Sequence, residues 1–465
     1  MRPFAQLDAD LLRRYDMAGP RYTSYPTARE FRPDFGEAEY RRHVLSGHSG
    51  AEAPLSLYVH IPFCENPCFY CGCNRLITRD HAAADRYLDP LAREIALVAS
   101  LFGKNRPVRQ LHLGGGTPNF LRPEQLSRLV DGLGRGFFLT SSAERDYSVE
   151  LDPRFLTVEF IDTLARLGFN RASFGVQDFD PQVQRAVNRI QSEAQTLEAI
   201  AQCRKRGFQS INVDLLYGLP RQTVEGFGRT LSAVIGARPD RVAVYGYAHL
   251  PQLFKAQRQL DAAALPNAET RLALLRLAIE ALGAAGYRYI GLDHFALPED
   301  DLARARERGD LHRNFMGYTT HADCDLIGLG VSAISHVSDC FSQNHRDLQH
   351  WEGALDDGRL PIWRGLVASF DDIVRADVIQ RIMCQGVVDV RAVEERHHIV
   401  FGEYFAEALA KLGPLGADGL VTIGAREIRA TDRGQLLLRL LAMCFDHYIG
   451  PRADAAEPPR FSKVI

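Results

Sequence analysis

The chain has 465 residues, of which 46% are apolar and 24% charged, enough for one large core and one or two smaller ones without disulfide staples. Its net charge of −3 excludes a global field that would draw nucleic acid or an anionic membrane. The opening MRPFAQLDADLLRRYDMAGP carries acids and no apolar h-region, so it does not read as a signal peptide, and the late run LLLRLLAMCF is short and broken by Arg439, so it reads as a buried helix rather than a membrane span. A cytoplasmic location with reduced thiols is expected.

In chain order, Met1–Pro54 contains GPRYTSYPT. Gly19, Pro20 and Pro26 make it a poor helix or central strand, and residues 1–54 read as an N-terminal extension. Six β-rich runs follow, at Leu55–Ile61, Val108–Leu113, Tyr147–Leu151, Arg171–Val176, Ile211–Leu216 and Val242–Tyr247. Segments of helical spacing alternate with them: Ala82–Phe102, Pro123–Leu133, Thr157–Leu167, Pro181–Val187, Ala194–Arg206 and Val224–Ile235. This alternation predicts an α/β fold of parallel strands with right-handed crossovers, an incomplete (β/α) barrel, with a doubly wound sheet as the alternative. A further run, Tyr287–Leu292, could extend the sheet. The barrel and its extension are read as residues 55–364. Residues 365–465 are read as a mainly helical domain: helices at Asp371–Cys384 and Val390–Leu412, a hairpin turning near Gly424, then a helix. Such a wing resembles a winged helix, but the chain lacks the basic balance of a DNA binder.

Polar residues gather where the predicted strands end. The stretch YVHIPFCENPCFYCGCNR places Cys64, Cys68, Cys71 and Cys73 after the first strand. GGGTP follows the second, Glu150 and Asp152 end the third, Gln177 follows the fourth, Asp214 lies late in the fifth, and Tyr247, Ala248 and His249 follow the sixth. Working groups in parallel α/β folds collect at this edge. The spacing C-x3-C-x2-C differs from the separated pairs of structural zinc and favours an iron–sulfur cluster held by three thiols, with zinc or redox thiols as alternatives. Cys73 reads as a fourth ligand, a substrate-side thiol or a packed residue. The scattered Cys203, Cys324, Cys340, Cys384 and Cys444 read as core residues.

Cys64, Cys68 and Cys71, with aromatic Tyr70 before the last, resemble the signature of the radical S-adenosylmethionine (SAM) enzymes. The resemblance implies a partial (β/α)6 barrel and a 4Fe-4S cluster with three Cys ligands, whose fourth iron takes the amino and carboxylate groups of SAM. One electron would then cleave SAM to methionine and a 5′-deoxyadenosyl radical. GPRYTSYPT, LHLGGGTP, SVELDPR, GVQDFDPQVQRAVNR, INVDLLYGLPRQT, YAHLPQLFKAQRQL, HRNFMGYTT, GLGVSAIS and the terminal FSKVI narrow the likeness to the oxygen-independent coproporphyrinogen III oxidases, over nearly the whole chain. That family implies decarboxylation of the ring A and B propionates of coproporphyrinogen III to vinyl groups, giving protoporphyrinogen IX in porphyrin and haem biosynthesis. It also implies an external low-potential electron donor, a monomer, and an N-terminal extension covering the active site. A haem chaperone of the same superfamily, or another radical SAM tetrapyrrole enzyme, is the alternative.

The resemblance further implies two SAM molecules. Tyr58, Gly115, Glu150 and Ile334 would surround one; Tyr70, Gly116, Thr117, Gln177, Arg189, Asp214 and Ala248 would surround the other. The residue types suit these tasks. Glycines let backbone approach a ligand, carboxylates accept ribose hydroxyls, guanidinium forks onto a carboxylate, and Tyr stacks on adenine. Cys73 and His60 are the candidate catalytic residues, His60 as a proton relay or substrate contact, and Arg21 is a candidate for a propionate. Where the family commonly carries Gln, this chain has Met316, beside Phe315; a thioether replaces a hydrogen-bonding amide there.

Overall fold

The computed structural model describes residues 14–15, 17–46 and 53–449. Most of the opening stretch, part of the extension read over 1–54, and the FSKVI terminus lie outside the described residues. The chain divides into two compact units: Phe31–Leu274 with Asp323–Val367, and Met1–Glu30 with Leu275–Ala322 and Ala368–Ile465. This differs from the boundaries read from sequence. The extension is split at residue 30, and the segment 275–322, read as part of the barrel, groups with the C-terminal helices.

The larger unit is built on one sheet. Its strands are β1 (Leu55–Ile61), β2 (Pro107–Gly115), β3 (Asp146–Leu151), β4 (Arg171–Gln177), β5 (Ser210–Tyr217), β6 (Arg241–Gly246), β7 (Asp325–Leu329), β8 (Ile334–Val337), β9 (Cys340–Asn344) and β10 (Ile362–Val367). Their order is β6-β5-β4-β3-β2-β1-β7-β8-β9-β10, parallel from β6 to β7 and antiparallel beyond. The six predicted strands are all present, with ends shifted by at most two residues. β7 adds a seventh parallel strand on the open edge of β1, with Tyr58 opposite Gly328.

Local sequence explains the crossovers. α1 (Ala82–Phe102) buries Ala84, Tyr87, Leu88, Leu91, Ile95, Val98 and Phe102 at spacings of three and four, one face of a helix. α2 (Pro123–Gly136) starts with Pro at its first turn, where no N–H is needed. α3 (Val158–Arg166), α4 (Pro181–Ala186), α5 (Glu193–Lys205) and α6 (Val224–Gly236) begin after Thr157, Asp180, Ser192 and Thr223, whose side chains each accept an orphan backbone N–H. Strand β5 alternates buried and half-buried positions along SINVDLLY, the period-two pattern of a sheet packed on helices.

In the second unit, helix Phe370–Gln385 runs from a Ser369 capping box to a left-handed Gly386. The single helix expected over Val390–Leu412 is three helices, Val390–His397, Phe401–Tyr404 and Ala406–Ala417. His398 at φ 54° ends the first, because left-handed backbone cannot continue a helix. The predicted hairpin forms between Val421–Ile423 and Glu427–Ala430, and Val387–Asp389 pairs as a third strand. Arg288–Gly291, within the run read as a sheet extension, pairs antiparallel with His294–Ala296. Arg439 is buried, its guanidinium donating to the carbonyls of Gly19 and Pro20. No helix among the described residues is long and apolar enough to cross a membrane.

Candidate active site

The C-terminal ends of β1 to β6 rim a cavity of about 370 Å³. All four clustered thiols line it, with Gly115, Gly116 and Thr117 at the end of β2, Glu150 and Asp152 at β3, Gln177 at β4, Arg189, and Asp214 on β5. Parallel register brings these positions together, since every strand presents the same end to the same edge.

The cysteine loop is fastened on several sides. Thr78 N–H donates to the Cys64 carbonyl at 3.0 Å and Phe69 N–H to the Val187 carbonyl at 3.0 Å. Asn188 Nδ2 donates to the Pro67 carbonyl at 2.8 Å. The Arg75 guanidinium donates to the carbonyls of Cys68 at 3.1 Å and Cys71 at 3.3 Å. Thr117 Oγ1 lies 3.3 Å from Cys64 Sγ. Cys73 N–H donates to Cys71 Sγ at 3.4 Å. The Cys73 thiol also bonds Cys71 and, against the cost of burial, lowers the Cys71 thiol to about 6. Burial pushes Cys64 up to about 11.

Glycines hold this edge open. A Cβ on Gly116 would stand 2.7 Å from the Phe63 carbonyl oxygen, and one on Gly115, at φ +114°, would stand 2.7 Å from the His60 ring. The Gly115 N–H donates to Glu150 Oε2 at 3.2 Å. Burial raises the Glu150 carboxyl, but the His112 hydrogen bond and charge, with the Gly115 N–H, more than offset this and hold it below its ordinary value. Asp214 differs. Burial pushes it up to about 6 despite hydrogen bonds from Ser173 Oγ at 2.8 Å and Asn212 Nδ2 at 2.9 Å.

Arg189 is 8% exposed and already engaged: Nη1 donates to Asp152 Oδ2 at 3.0 Å and Nη2 to the Gly175 carbonyl at 2.6 Å. Its Nε is a buried polar atom without a partner. Gln177 sits at φ 67°. Tyr70 lines the cavity and packs on Val183, Val187, Leu219, Tyr247 and Leu260.

Four residues singled out from sequence stand behind these walls. The His60 ring is enclosed, with Nε2 donating to the Asn74 carbonyl at 2.8 Å, so Nδ1 accepts from Tyr58 Oη at 3.0 Å. Burial lowers its pKa, and both ring nitrogens are used within the protein. The Tyr58 ring stacks on His112 at 5.8 Å, and His112 Nε2 meets Glu150 Oε1 at 3.3 Å. Ile334 backbone crosses directly over Gly328, the register partner of Tyr58. The Ala248 carbonyl accepts from Gln257 Nε2 at 3.2 Å.

Other singled-out residues lie in the second unit. Phe315 and Met316 form the turn of the hairpin His312–Asn314 and Gly317–Thr319. Arg21, the propionate candidate, is ion-paired with Asp293. Of the scattered cysteines, Cys203, Cys340 and Cys384 are buried as expected, whereas Cys324 and Cys444 are only half-buried.

Sequence reasoning missed His112, Arg154, Phe254 and Gln257. Gln257 is 3% exposed and satisfies three backbone groups: Nε2 donates to the carbonyls of Tyr70 and Ala248, and Oε1 accepts from Leu250 N–H. Phe254 lies against Gly72, between Cys71 and Cys73. The available signal was their place in LHLGGGTP for His112, SVELDPR for Arg154 and YAHLPQLFKAQRQL for Phe254 and Gln257, each at or after a strand end.

The donor set fits a thiolate-held cluster with SAM beside it. Cys64, Cys68 and Cys71 open on one cavity with Cys73, next to a glycine edge where a side chain would strike backbone and next to a buried guanidinium with one nitrogen unpartnered. Comparison with known proteins bears on this directly. The Radical SAM superfamily matches residues 58–234. The oxygen-independent coproporphyrinogen III oxidase of Pseudomonas aeruginosa is 48% identical over 458 residues, 98% of each chain. That of Escherichia coli strain K12 is 46% identical over 462 residues, 99% of each. The solved structure of coproporphyrinogen III oxidase (HemN) from Escherichia coli, a radical SAM enzyme, matches with a TM-score of 0.91 at 45% identity, covering 96% of this chain and 100% of that one. Identity of this order over the full length leads to one conclusion: the chain belongs to the oxygen-independent coproporphyrinogen III oxidase family of radical SAM enzymes.

Proposed function

We propose that this protein converts the ring A and ring B propionates of coproporphyrinogen III to vinyl groups without O2, giving protoporphyrinogen IX. The observation that carries this reading is the full-length relation to the named oxidases, on a chain whose clustered thiols share one cavity with Glu150, Arg189 and Asp214. Cys64, Cys68 and Cys71 hold the 4Fe-4S cluster. When bound, the cluster and SAM would supply the one-electron chemistry that removes a hydrogen from the propionate β-carbon, with loss of CO2 then passing one electron to an external acceptor.

The chain's own groups bind, orient and exclude water. Glu150, kept ionised by His112 and the Gly115 N–H, accepts hydroxyl or amino hydrogens of one SAM. Asp214, braced by Ser173 and Asn212, does so for a second, with Gln177 and Tyr70 beside it. Arg189, on the cavity wall, attracts the carboxylate of that molecule through its guanidinium charge. Tyr58 and His60 act as positioning residues: His60 backs Gly115, and Tyr58 orients His112 against Glu150. Phe254 packs on Gly72 and so fixes the backbone between Cys71 and Cys73.

An anaerobic assay tests this. Reconstituted protein is given SAM, a low-potential reductant and coproporphyrinogen III, and products are read by mass spectrometry. Protoporphyrinogen IX with 5′-deoxyadenosine is expected, and Cys64→Ala should lose both. Deoxyadenosine without a vinyl product would sink the substrate assignment and leave the radical SAM chemistry standing.

A further inference from the structure

Three thiols are assigned to iron here, and their hydrogen-bonding partners differ in charge. Cys64 Sγ faces the neutral hydroxyl of Thr117 at 3.3 Å, and Cys71 Sγ faces the backbone N–H of Cys73 at 3.4 Å. Cys68 Sγ faces two cations, Arg189 Nη1 at 3.5 Å and Arg154 Nη2 at 3.7 Å. Both guanidiniums converge on one carboxylate oxygen: Asp152 Oδ2 accepts from Arg154 Nη2 at 2.6 Å and from Arg189 Nη1 at 3.0 Å.

This triad is sheltered and rigid. The side chains of Arg154, Asp152 and Arg189 are 11%, 6% and 8% exposed. Asp152 is fixed by reciprocal backbone bonds with the Asn119 side chain, its N–H donating to Oδ1 at 2.9 Å and its carbonyl accepting from Nδ2 at 3.0 Å. The Arg154 guanidinium lies over the Phe155 ring at 5.2 Å, and its carbonyl accepts from Gln195 Nε2 at 3.3 Å. Two guanidiniums and one carboxylate leave a single net positive charge against the Cys68 sulfur.

One-electron reduction adds negative charge to a thiolate-held cluster. A fixed positive charge and N–H donors at a ligand sulfur favour the reduced form, most strongly where solvent is excluded. We propose that Arg154, with Asp152 as its counter-charge, sets the reduction potential of the cluster through Cys68. Arg154 is thus a tuning and positioning residue rather than a catalytic one. The proposal rests on the reading of Cys64, Cys68 and Cys71 as iron ligands.

The test is an anaerobic redox titration of the reconstituted holoenzyme, followed by electron paramagnetic resonance at matched iron content. Arg154→Gln removes the charge and keeps a polar N–H donor on a shorter side chain. At the wild-type midpoint its reduced-to-oxidised ratio should fall about tenfold, a shift of about 59 mV to more negative potential for one electron. Arg154→Lys keeps the charge and should shift less. Asp152→Asn removes the opposing charge and should shift the other way, a sign that general loosening of the site would not produce. An unchanged midpoint in fully loaded Arg154→Gln, or shifts of the same sign in the Arg154→Gln and Asp152→Asn proteins, would overturn the proposal. If Arg154→Gln holds no cluster, the sign of the Asp152→Asn shift decides it. Failure of the wild type to take up iron and sulfide would instead remove the ligand reading beneath it.

Discussion

At the scale of single residues, the site depends on side chains that are absent as much as on those present. Gly116 has the Phe63 carbonyl oxygen 2.7 Å and the Pro62 carbonyl carbon 2.9 Å from where a Cβ would stand, and these backbone atoms belong to the segment that joins β1 to the cysteine loop. Gly116→Ala should therefore push the glycine edge and the cysteine loop apart and weaken SAM binding by tenfold or more, a loss of about 1.4 kcal/mol, measurable by anaerobic calorimetry. Asp214 illustrates the converse, a side chain whose charge is costly. Its folded value of about 6 lies above its ordinary value because burial opposes ionisation. In its proposed role Asp214 accepts from SAM, and only the ionised form offers both oxygens purely as acceptors, so SAM affinity should decline as pH falls through about 6, and Asp214→Asn should bind more weakly with that pH dependence removed. A wild-type affinity flat from pH 5 to 8 (roughly the range where such a group titrates) would contradict this.

At the scale of elements, the cysteine loop is held mostly by its neighbours. The loop after β6 reaches it through Gln257, whose amide serves Tyr70, Ala248 and Leu250 at once. Gln257→Ala leaves those backbone groups without that partner, and an unsatisfied buried group costs about 1–3 kcal/mol. The variant should unfold at lower urea concentration, and its cluster absorbance should bleach faster in air than that of the wild type. Gln257→Glu offers the acceptor without the donors and should restore little. Strand β1 and helix α1 could be read from local pattern because every residue that defines them is a near neighbour in sequence. The Gln257 clamp could not, since Gln257 and Tyr70 are 187 residues apart.

At the scale of the whole molecule, one buried acid links pH to stability. Glu94 on α1 is 1% exposed and has no cationic partner among the described residues; it accepts from Gly330 N–H at 2.9 Å, Asn344 Nδ2 at 2.6 Å and Trp351 Nε1 at 3.1 Å. Burial outweighs these donors and raises its carboxyl to about 7. A folded value above the unfolded one gives stability that is complete below about 4.5 and lost as pH rises through about 7. The urea midpoint, followed by tryptophan fluorescence with Trp351 as the local reporter, should fall over that window. Glu94→Gln should flatten the dependence while lowering stability overall, because an amide replaces one acceptor with a donor. Charge makes a second prediction at this scale. With a net charge of −3, the three-stranded wing of the second unit should give no salt-dependent mobility shift with duplex DNA.

By itself the sequence determined the strand and helix series, the thiol cluster and the edge at which polar residues gather. Period-two and helical spacing, N-caps and tight cysteine spacing are local properties, written within a few residues of where they act. Likeness to a known family then carried the reading further, to particular residues such as Glu150, Arg189 and Asp214. Only the tertiary structure decided what those residues touch. It drew β7 from Asp325–Leu329 onto β1, enclosed His60 behind Gly115, and turned Arg189 onto Asp152. It also set Arg154 beside Cys68, 86 residues away. Contacts of this kind depend on long-range register and side-chain direction, and no local pattern encodes either.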